Sequence, residues 1–419
     1  MKYYFLLIGT FCFMGFCQGQ HATYKLKQDF INKQLDDAID QIKILAQNTP
    51  EDLMPRTFEG DTLVTSKTNW WTSGFYPGTL VYLYEYSGDK KLLQLAQDKF
   101  KILEKEKYNK NTHDVGFMLY CSYGNALRIT KDTMAYKDIL LTGARSLITR
   151  YSPDVQAIRS WGGMKRNNPD VKATSSGGGW NYPVIIDNMM NLEFLLEVSK
   201  LGNDPVFWDI AVTHANTTMK NHFRPDYSCY HLVDYNPKDG SVIAKKTVQG
   251  AYDESAWARG QAWALYGFTM MYRETRDKKY LDFAKKIADF VLNHPNMPED
   301  QVPYWDFDAP GLPDGSELAN YKFNRDASTA AILASALIEL SSFTKDTEQS
   351  LYISKAEKML QSLSKEPYKA VTGTNGGFIL KYSAGHLPKH SEVDVPLTYA
   401  DYYYVEALMR YRNLLLAGN

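Results

Sequence analysis

Two aspartates sit where a carboxyl can do chemistry. Asp114 follows His113 in "THDVGFMLY", directly before an apolar run. Asp187 stands in "WNYPVIIDNMMNLEFLL", with apolar residues on both sides. Taking a carboxylate out of water without partners is costly and raises its pKa. A carboxyl that keeps its proton near neutral pH is what a general acid requires. The plain alternative for Asp114 is a helix N-cap, whose side chain accepts from free first-turn N–H groups. The apolar flanks make that alternative harder to sustain for Asp187. Two carboxyls at one site would fit the pairing that glycosidases use.

A second constellation lies in "SAWARGQAWALYGF". Arg259 and Trp263 are four residues apart, so on a helix they share one face, one turn apart. Such a pair is either a cation–π contact filling a gap or the charged and flat walls of a pocket for an anionic ring. Trp70 and Trp71 open a further helix in "NWWTSGFYPGTL". His231 in "SCYHLVDYN", on a loop or short strand, and Gln249 in "TVQGAYDES" carry little signal alone, because a loop histidine is more often a surface residue. No C-x-x-C or H-E-x-x-H pattern points to a metal site, and no cofactor is expected.

The elements that must position these residues are helical and they repeat. Five times an apolar-periodic segment stops at a short polar joint containing an aspartate, and a second helix follows. The joints fall at Asp89, Asp132, Asp204, Asp277 and Asp346, each read as an N-cap in an αα-hairpin turn. Helices are expected near 30–47, 73–87, 89–107, 115–130, 132–150, 186–201, 205–222, 256–275, 277–294, 326–344, 346–364 and 400–416. Five hairpins plus a helix at each end close a ring if the terminal helices pair. The expected fold is therefore all-α, an (α/α)6 toroid of twelve helices, with an open solenoid of the same hairpins as the alternative. Short turns on one rim and long Gly- and Pro-rich segments on the other favour the closed form. In a closed toroid Trp71, Asp114, Asp187 and Arg259, all at hairpin entries, gather at one mouth.

Composition sets the bounds. The chain has 419 residues, 44% of them hydrophobic, with a formal net charge of -1. That balance gives no support for nucleic acid or a membrane surface as the main partner. Aromatic content is 14%, including 30 Tyr and 8 Trp, which suits either a sugar-stacking groove or an aromatic-rich helical core. "MKYYFLLIGTFCFMGFCQGQ" has the pattern of a secretory signal and is too short for a stable membrane span. The expected organisation is a signal peptide over 1–20 and one catalytic domain over 21–419, exported across the inner membrane to a periplasmic setting. A lipid anchor at Cys17 is not favoured, since Phe16 is bulkier than a lipobox allows. Cys121 and Cys229 then remain, with one bridge possible between them.

Taken together, "WTSGFYPG", "HDVGF", "IIDNMMNLEFL" and "SAWARGQAWALYG" resemble glycoside hydrolase family 88, the unsaturated glucuronyl hydrolases. The resemblance runs from about Asn69 to the C-terminal "YADYYYVEALMR". It implies an (α/α)6 barrel that removes the 4,5-unsaturated uronic acid which a polysaccharide lyase leaves at the non-reducing end of an oligosaccharide. It implies Asp187 as the acid/base, protonating C4 and helping water attack C5, and Asp114 as the second carboxylate, holding sugar hydroxyls. By the same resemblance Arg259 faces the sugar carboxylate and Trp263 packs on the ring, with Trp71, His113, His231 and Gln249 lining the subsite. Trp161, in "RSWGG", is the expected platform for the next sugar. The segment "KYSAGHLPKHSEVDVP" places Lys389 and His390 where a sulfate could be met, against the plain reading of a solvated loop.

Three rivals are distinguishable. The sister class that removes unsaturated galacturonate from rhamnogalacturonan has an arginine motif closer to RGNGW than to the RGQAW found here. A non-catalytic oligosaccharide-binding toroid needs the aromatics and Arg259 but no buried Asp187. A protein-binding solenoid predicts an open concave surface and no enclosed acidic pair.

Overall fold

The computed structural model describes residues 24–162 and 179–417. The expected signal segment and Cys17 lie outside the described residues. The helices are α1 (Gln28–Asn48), α2 (Phe75–Ser87), α3 (Lys90–Leu103), α4 (Val115–Leu119), α5 (Asn125–Thr130), α6 (Thr133–Ile148), α7 (Leu192–Gly202), α8 (Pro205–Asn221), α9 (Ala258–Thr275), α10 (Lys278–Asn293), α11 (Ala327–Ser341), α12 (Asp346–Leu363) and α13 (Thr398–Ala417). A π-helical turn, Tyr120–Gly124, joins α4 to α5 as one interrupted helix, so the thirteen segments make twelve helices among the described residues. Each of the twelve lies where the apolar periodicity puts it.

The hairpin joints follow a simple chemistry. Gly88, Lys131, Asn203 and Arg276 end their helices in the left-handed conformation. In each case the next residue is an aspartate whose side chain accepts from a first-turn N–H: Asp89, Asp132, Asp204 and Asp277. A two-residue turn thus closes one helix and caps the next. The fifth joint departs from this rule. Asp346 is itself the first residue of α12, has φ 54°, and the position before it is Lys345, with no side-chain cap. The joint there is longer, so Asp346 lies past the capping position.

The ring is closed. α13 packs against both α2 and α11, and α1 packs against α13, which is the pairing of terminal helices that closure demands. The inner helices are buried around most of their circumference, as α9, α11 and α13 are. Outer helices such as α3 and α10 bury one stripe and expose the other face to water. One continuous apolar core runs through both layers. Cys121 and Cys229 are both buried and both free.

The long connections carry short strands that an all-α reading omits. β1 (Met54–Glu59) pairs with β2 (Thr62–Ser66), and β3 (Tyr151–Ser152) with β4 (Ala157–Ile158). β5 (Pro183–Ile185), β6 (Leu232–Tyr235) and β7 (Val242–Lys246) form a three-stranded sheet, and β8 (Ser383–His386) pairs with β9 (Ser391–Val395). The sheet of β5–β7 covers a small satellite core that includes Tyr182, Val184 and Tyr235. These strands stiffen the rim at which the inner helices begin.

Candidate active site

The inner helices all start at that rim, and each brings a chemically distinctive residue to its N-terminal end. Trp71 lies in the turn before α2, Asp114 directly before α4, and Asp187 in the 3-10 turn Ile186–Asn191 before α7. Arg259 is the second residue of α9, Asp326 caps α11 and Tyr399 is the second residue of α13. Helix N-termini carry positive partial charge, so a ring of them favours an anionic ligand. Trp71, Asp114, Asp187, Arg259 and Tyr399 line one cavity of about 430 Å³, together with His113, Trp161 and Gln249. That volume is within the range of small-ligand sites.

Sheet pairing fixes the acid. Ile185 opposes Leu232 across β5 and β6, and Ile186 N–H donates to His231 O at 2.9 Å. Asp187 and His231 therefore leave the end of the same ladder side by side, with His231 Nε2 3.7 Å from Asp187 Oδ2. That distance is too long for a hydrogen bond. The Trp263 indole N–H faces the same carboxyl. Among the described residues Asp187 Oδ2, His231 Nε2 and Trp263 Nε1 are buried without a hydrogen-bond partner. Such atoms occur elsewhere in the fold as well, so what sets these three apart is that they converge on one carboxyl. Burial pushes the Asp187 carboxyl up to about 7; the Arg259 charge pulls against that shift and the neighbouring Asp114 adds to it.

Asp114 is held differently. Thr112 Oγ1 donates to its Oδ2 at 2.6 Å, and His113 Nε2 lies 3.2 Å from its Oδ1. It caps no helix with its side chain, so the plain N-cap reading fails. Burial lowers the His113 pKa, while Asp114 and Asn188 pull it back up. His113 thus serves as the clamp on Asp114 as well as a wall of the cavity.

Two residues stand elsewhere than the sequence suggests. Trp263 is fully buried, beneath Asp187 and against Phe117 and Tyr403, and presents no face on which a sugar ring can pack. Its position four residues after Arg259, one turn deeper into a helix buried from Ala258 to Met271, puts it in the core. His231 is likewise enclosed, with Nδ1 accepting from Val248 N–H at 3.1 Å. Burial, followed by the charges of His386 and Arg259, drives its pKa well below the usual histidine range.

Arg259 is likewise turned into the protein and not toward a sugar carboxylate. Its Nη1 donates to Asp326 Oδ2 at 3.2 Å and to Ala384 O, and its Nη2 to Gln249 Oε1 at 3.0 Å and Gly385 O at 2.7 Å. Those four bonds fill both terminal amino groups, and only Nε–H lacks a partner. No edge remains for a bidentate grip on a sugar carboxylate. The guanidinium lies 4.6 Å from the Trp257 ring and 5.3 Å from that of Tyr399, and acts on the cavity as a fixed buried charge.

The cavity wall also contains residues that motif reading passed over: Arg56, Tyr399, His386, Ser391 and Glu392. Tyr399 had a signal, since "PLTYADYYY" is a sixth hairpin entry. The others lie on β1 and on the β8–β9 hairpin, which sequence periodicity does not bring together. Lys389 lines the cavity, whereas His390 turns outward to Tyr321 and Glu317. Among the described residues no group of three or more His, Cys, Asp or Glu could hold a metal ion. No described helix is long and apolar enough to cross a membrane.

Comparison with known proteins places this geometry. Residues 44–411 match Glycosyl Hydrolase Family 88. An unsaturated glucuronyl hydrolase from Formosa agariphila is 45% identical over 346 residues, 83% of this chain and 81% of that protein. An unsaturated chondroitin disaccharide hydrolase from Streptococcus pyogenes is 30% identical over 92% of each chain. The crystal structure of an unsaturated glucuronyl hydrolase specific for heparin matches with a TM-score of 0.84 at 46% identity, covering 93% of this chain and 99% of that one.

Proposed function

The chain belongs to glycosyl hydrolase family 88, and we propose that it works by handing the Asp187 proton to an alkene carbon of its substrate. It is a glycosidase that removes a 4,5-unsaturated uronic acid from the non-reducing end of an oligosaccharide. The C4=C5 bond of that sugar is a vinyl ether, conjugated to the carboxylate at C5. Proton transfer from Asp187 to C4 leaves positive charge at C5, shared with the ring oxygen. Water adds to C5 and returns a proton to the Asp187 carboxylate. The resulting hemiketal opens to a ketone at C5 and a hemiacetal at C1. The hemiacetal then collapses to an aldehyde and releases the remaining sugar as an alcohol. One water is consumed and the carboxyl ends as it began.

The observation that carries this reading is the Asp187 carboxyl, buried, pushed up to about 7 and unpartnered at Oδ2 beside Asp114. Asp114, clamped by Thr112 and His113, is suited to accept from sugar hydroxyls. Trp71 and Trp161 offer apolar faces to the rings, and Gln249 a polar edge. Arg259 contributes field to the anionic sugar and not a direct clamp. The leader pattern of residues 1–20 supports export to the periplasm, which N-terminal sequencing of the protein from the periplasmic fraction tests. The chemistry is tested by ultraviolet absorbance: lyase-generated disaccharides lose the absorbance of the conjugated double bond when the protein acts. Persistence of that absorbance with every such disaccharide overturns the reading.

A further inference from the structure

With Arg259 saturated, the guanidinium edge open to an anion among the described residues of this cavity belongs to Arg56. Arg56 lies on β1 within the cavity wall, its guanidinium carbon 4.3 Å above the Trp70 ring. Its Nε donates to Glu392 Oε1 at 2.6 Å. Among the described residues its two terminal amino groups donate to no protein atom. The Arg56 side chain is 25% exposed and that of Glu392 14%.

Glu392 in turn is fixed. A Cβ at position 385 would come within 2.4 Å of the Glu392 Cβ, so only a glycine lets that side chain lie so close to β8. The guanidinium is therefore stacked on an indole, paired along its Nε side and open along its Nη side. A planar guanidinium held this way matches a carboxylate or a sulfate with two parallel N–H donors. Its place in the cavity sets which sugar it meets. Asp187 is buried, whereas Trp70 is 37% exposed at the rim.

We propose that Arg56 and Trp70 form a subsite for an acidic substituent, a carboxylate or an ester sulfate, on the sugar that follows the unsaturated uronate. This rests on the proposed function and specifies its substrate class. Glu392 opposes any anion beside it, so it tempers the preference that Arg56 creates.

The test compares three unsaturated disaccharides whose second sugar is uncharged, carboxylated or sulfated, each followed by loss of ultraviolet absorbance. In Arg56→Gln the ratio of kcat/KM for an acidic substrate to that for the neutral one falls about tenfold, a loss of about 1.4 kcal/mol, and the loss lies in KM. Arg56→Lys keeps part of the ratio, and Glu392→Gln raises it. The acid whose ratio falls further identifies the source. In the wild-type protein, added NaCl lowers the same ratio, because screening weakens a rim contact. A ratio that stays within twofold in Arg56→Gln overturns the subsite. If that variant does not fold, a wild-type ratio indifferent to salt overturns it. Failure of the wild type to bleach any of the three overturns the proposed function and this subsite together.

Discussion

His231 Nε2 stands 3.7 Å from Asp187 Oδ2, and its other ring nitrogen already accepts from Val248 N–H. With Nδ1 committed as an acceptor, the proton of the neutral ring is on Nε2, pointing at the acid. The neutral histidine thus turns its N–H side to Asp187 without placing a second charge beside it. The reactive form of Asp187 is the protonated one, and burial holds it to about 7. Turnover should therefore be full below that pH and decline as pH rises through it, since the proton is lost there. A kcat profile that stays flat from about pH 6 to pH 9 would exclude Asp187 as the acid.

Replacing the acid separates chemistry from folding. Asp187→Asn keeps the shape and removes the transferable proton, so kcat should fall by about 10²–10⁴-fold or more. Far-ultraviolet circular dichroism should be unchanged, because the side chain makes no helix cap. Near-normal turnover in the purified variant would end the mechanism.

Asp114 acts on Asp187 through its charge as well as through the substrate. Its carboxylate helps to hold the neighbouring carboxyl in the protonated form. Asp114→Asn removes that repulsion, so the alkaline limb of kcat should move to lower pH, with a lower plateau from the lost hydroxyl contacts. A limb that moves upward, or does not move, contradicts the coupling.

The buried acid also has a cost in stability. An unfolded aspartate titrates near 3.8, whereas folded Asp187 holds its proton to about 7. Between those values the unfolded chain binds fewer protons than the folded one, so stability falls as pH rises and the loss is complete above about 7. The loss amounts to about 1.4 kcal/mol for each pH unit crossed between the two. Asp187→Asn does not titrate, so its Tm should exceed that of the wild type at pH 8 by more than it does at pH 5. Equal differences at the two pH values would mean that the carboxyl is not held neutral by the fold.

The helices were legible because their signals are local. Apolar periodicity and an aspartate after each left-handed closing residue mark Asp89, Asp132, Asp204 and Asp277 without reference to distant parts of the chain. Asp346 looked the same in sequence, and the longer joint moved it out of register. The strands left no comparable trace. β5 has three residues and is stabilised by β6, more than forty residues later, so its pairing is a long-range fact. The same distinction divides the site. Helix-entry position brought Trp71, Asp114, Asp187 and Arg259 to one mouth, but spacing cannot say what a side chain finds there. Trp263 found the core, and Arg259 found two carbonyls from β8.

Those carbonyls make Arg259 a test of structure and function at once. An arginine that only held substrate could be cut back with a rise in KM and an unchanged Tm. Here Arg259→Ala strips the cation from Asp326, a fully buried carboxylate, and abandons the Ala384 and Gly385 carbonyls of the cavity wall. Breaking a buried pair from one side is destabilising by about 3–5 kcal/mol, because the remaining charge is uncompensated. Asp326 keeps its bonds from Ser328, Thr329 and the Ala384 N–H, which argues for the lower end of that range. The variant should therefore lose several degrees of Tm as well as raise KM. Arg259→Lys should recover little, since one ammonium cannot serve a carboxylate, an amide and two carbonyls in the plane that the guanidinium spans. A variant that raised KM while melting at the wild-type temperature would show that the arginine's bonds inside the protein are dispensable, and that its role is the direct grip which the geometry denies it.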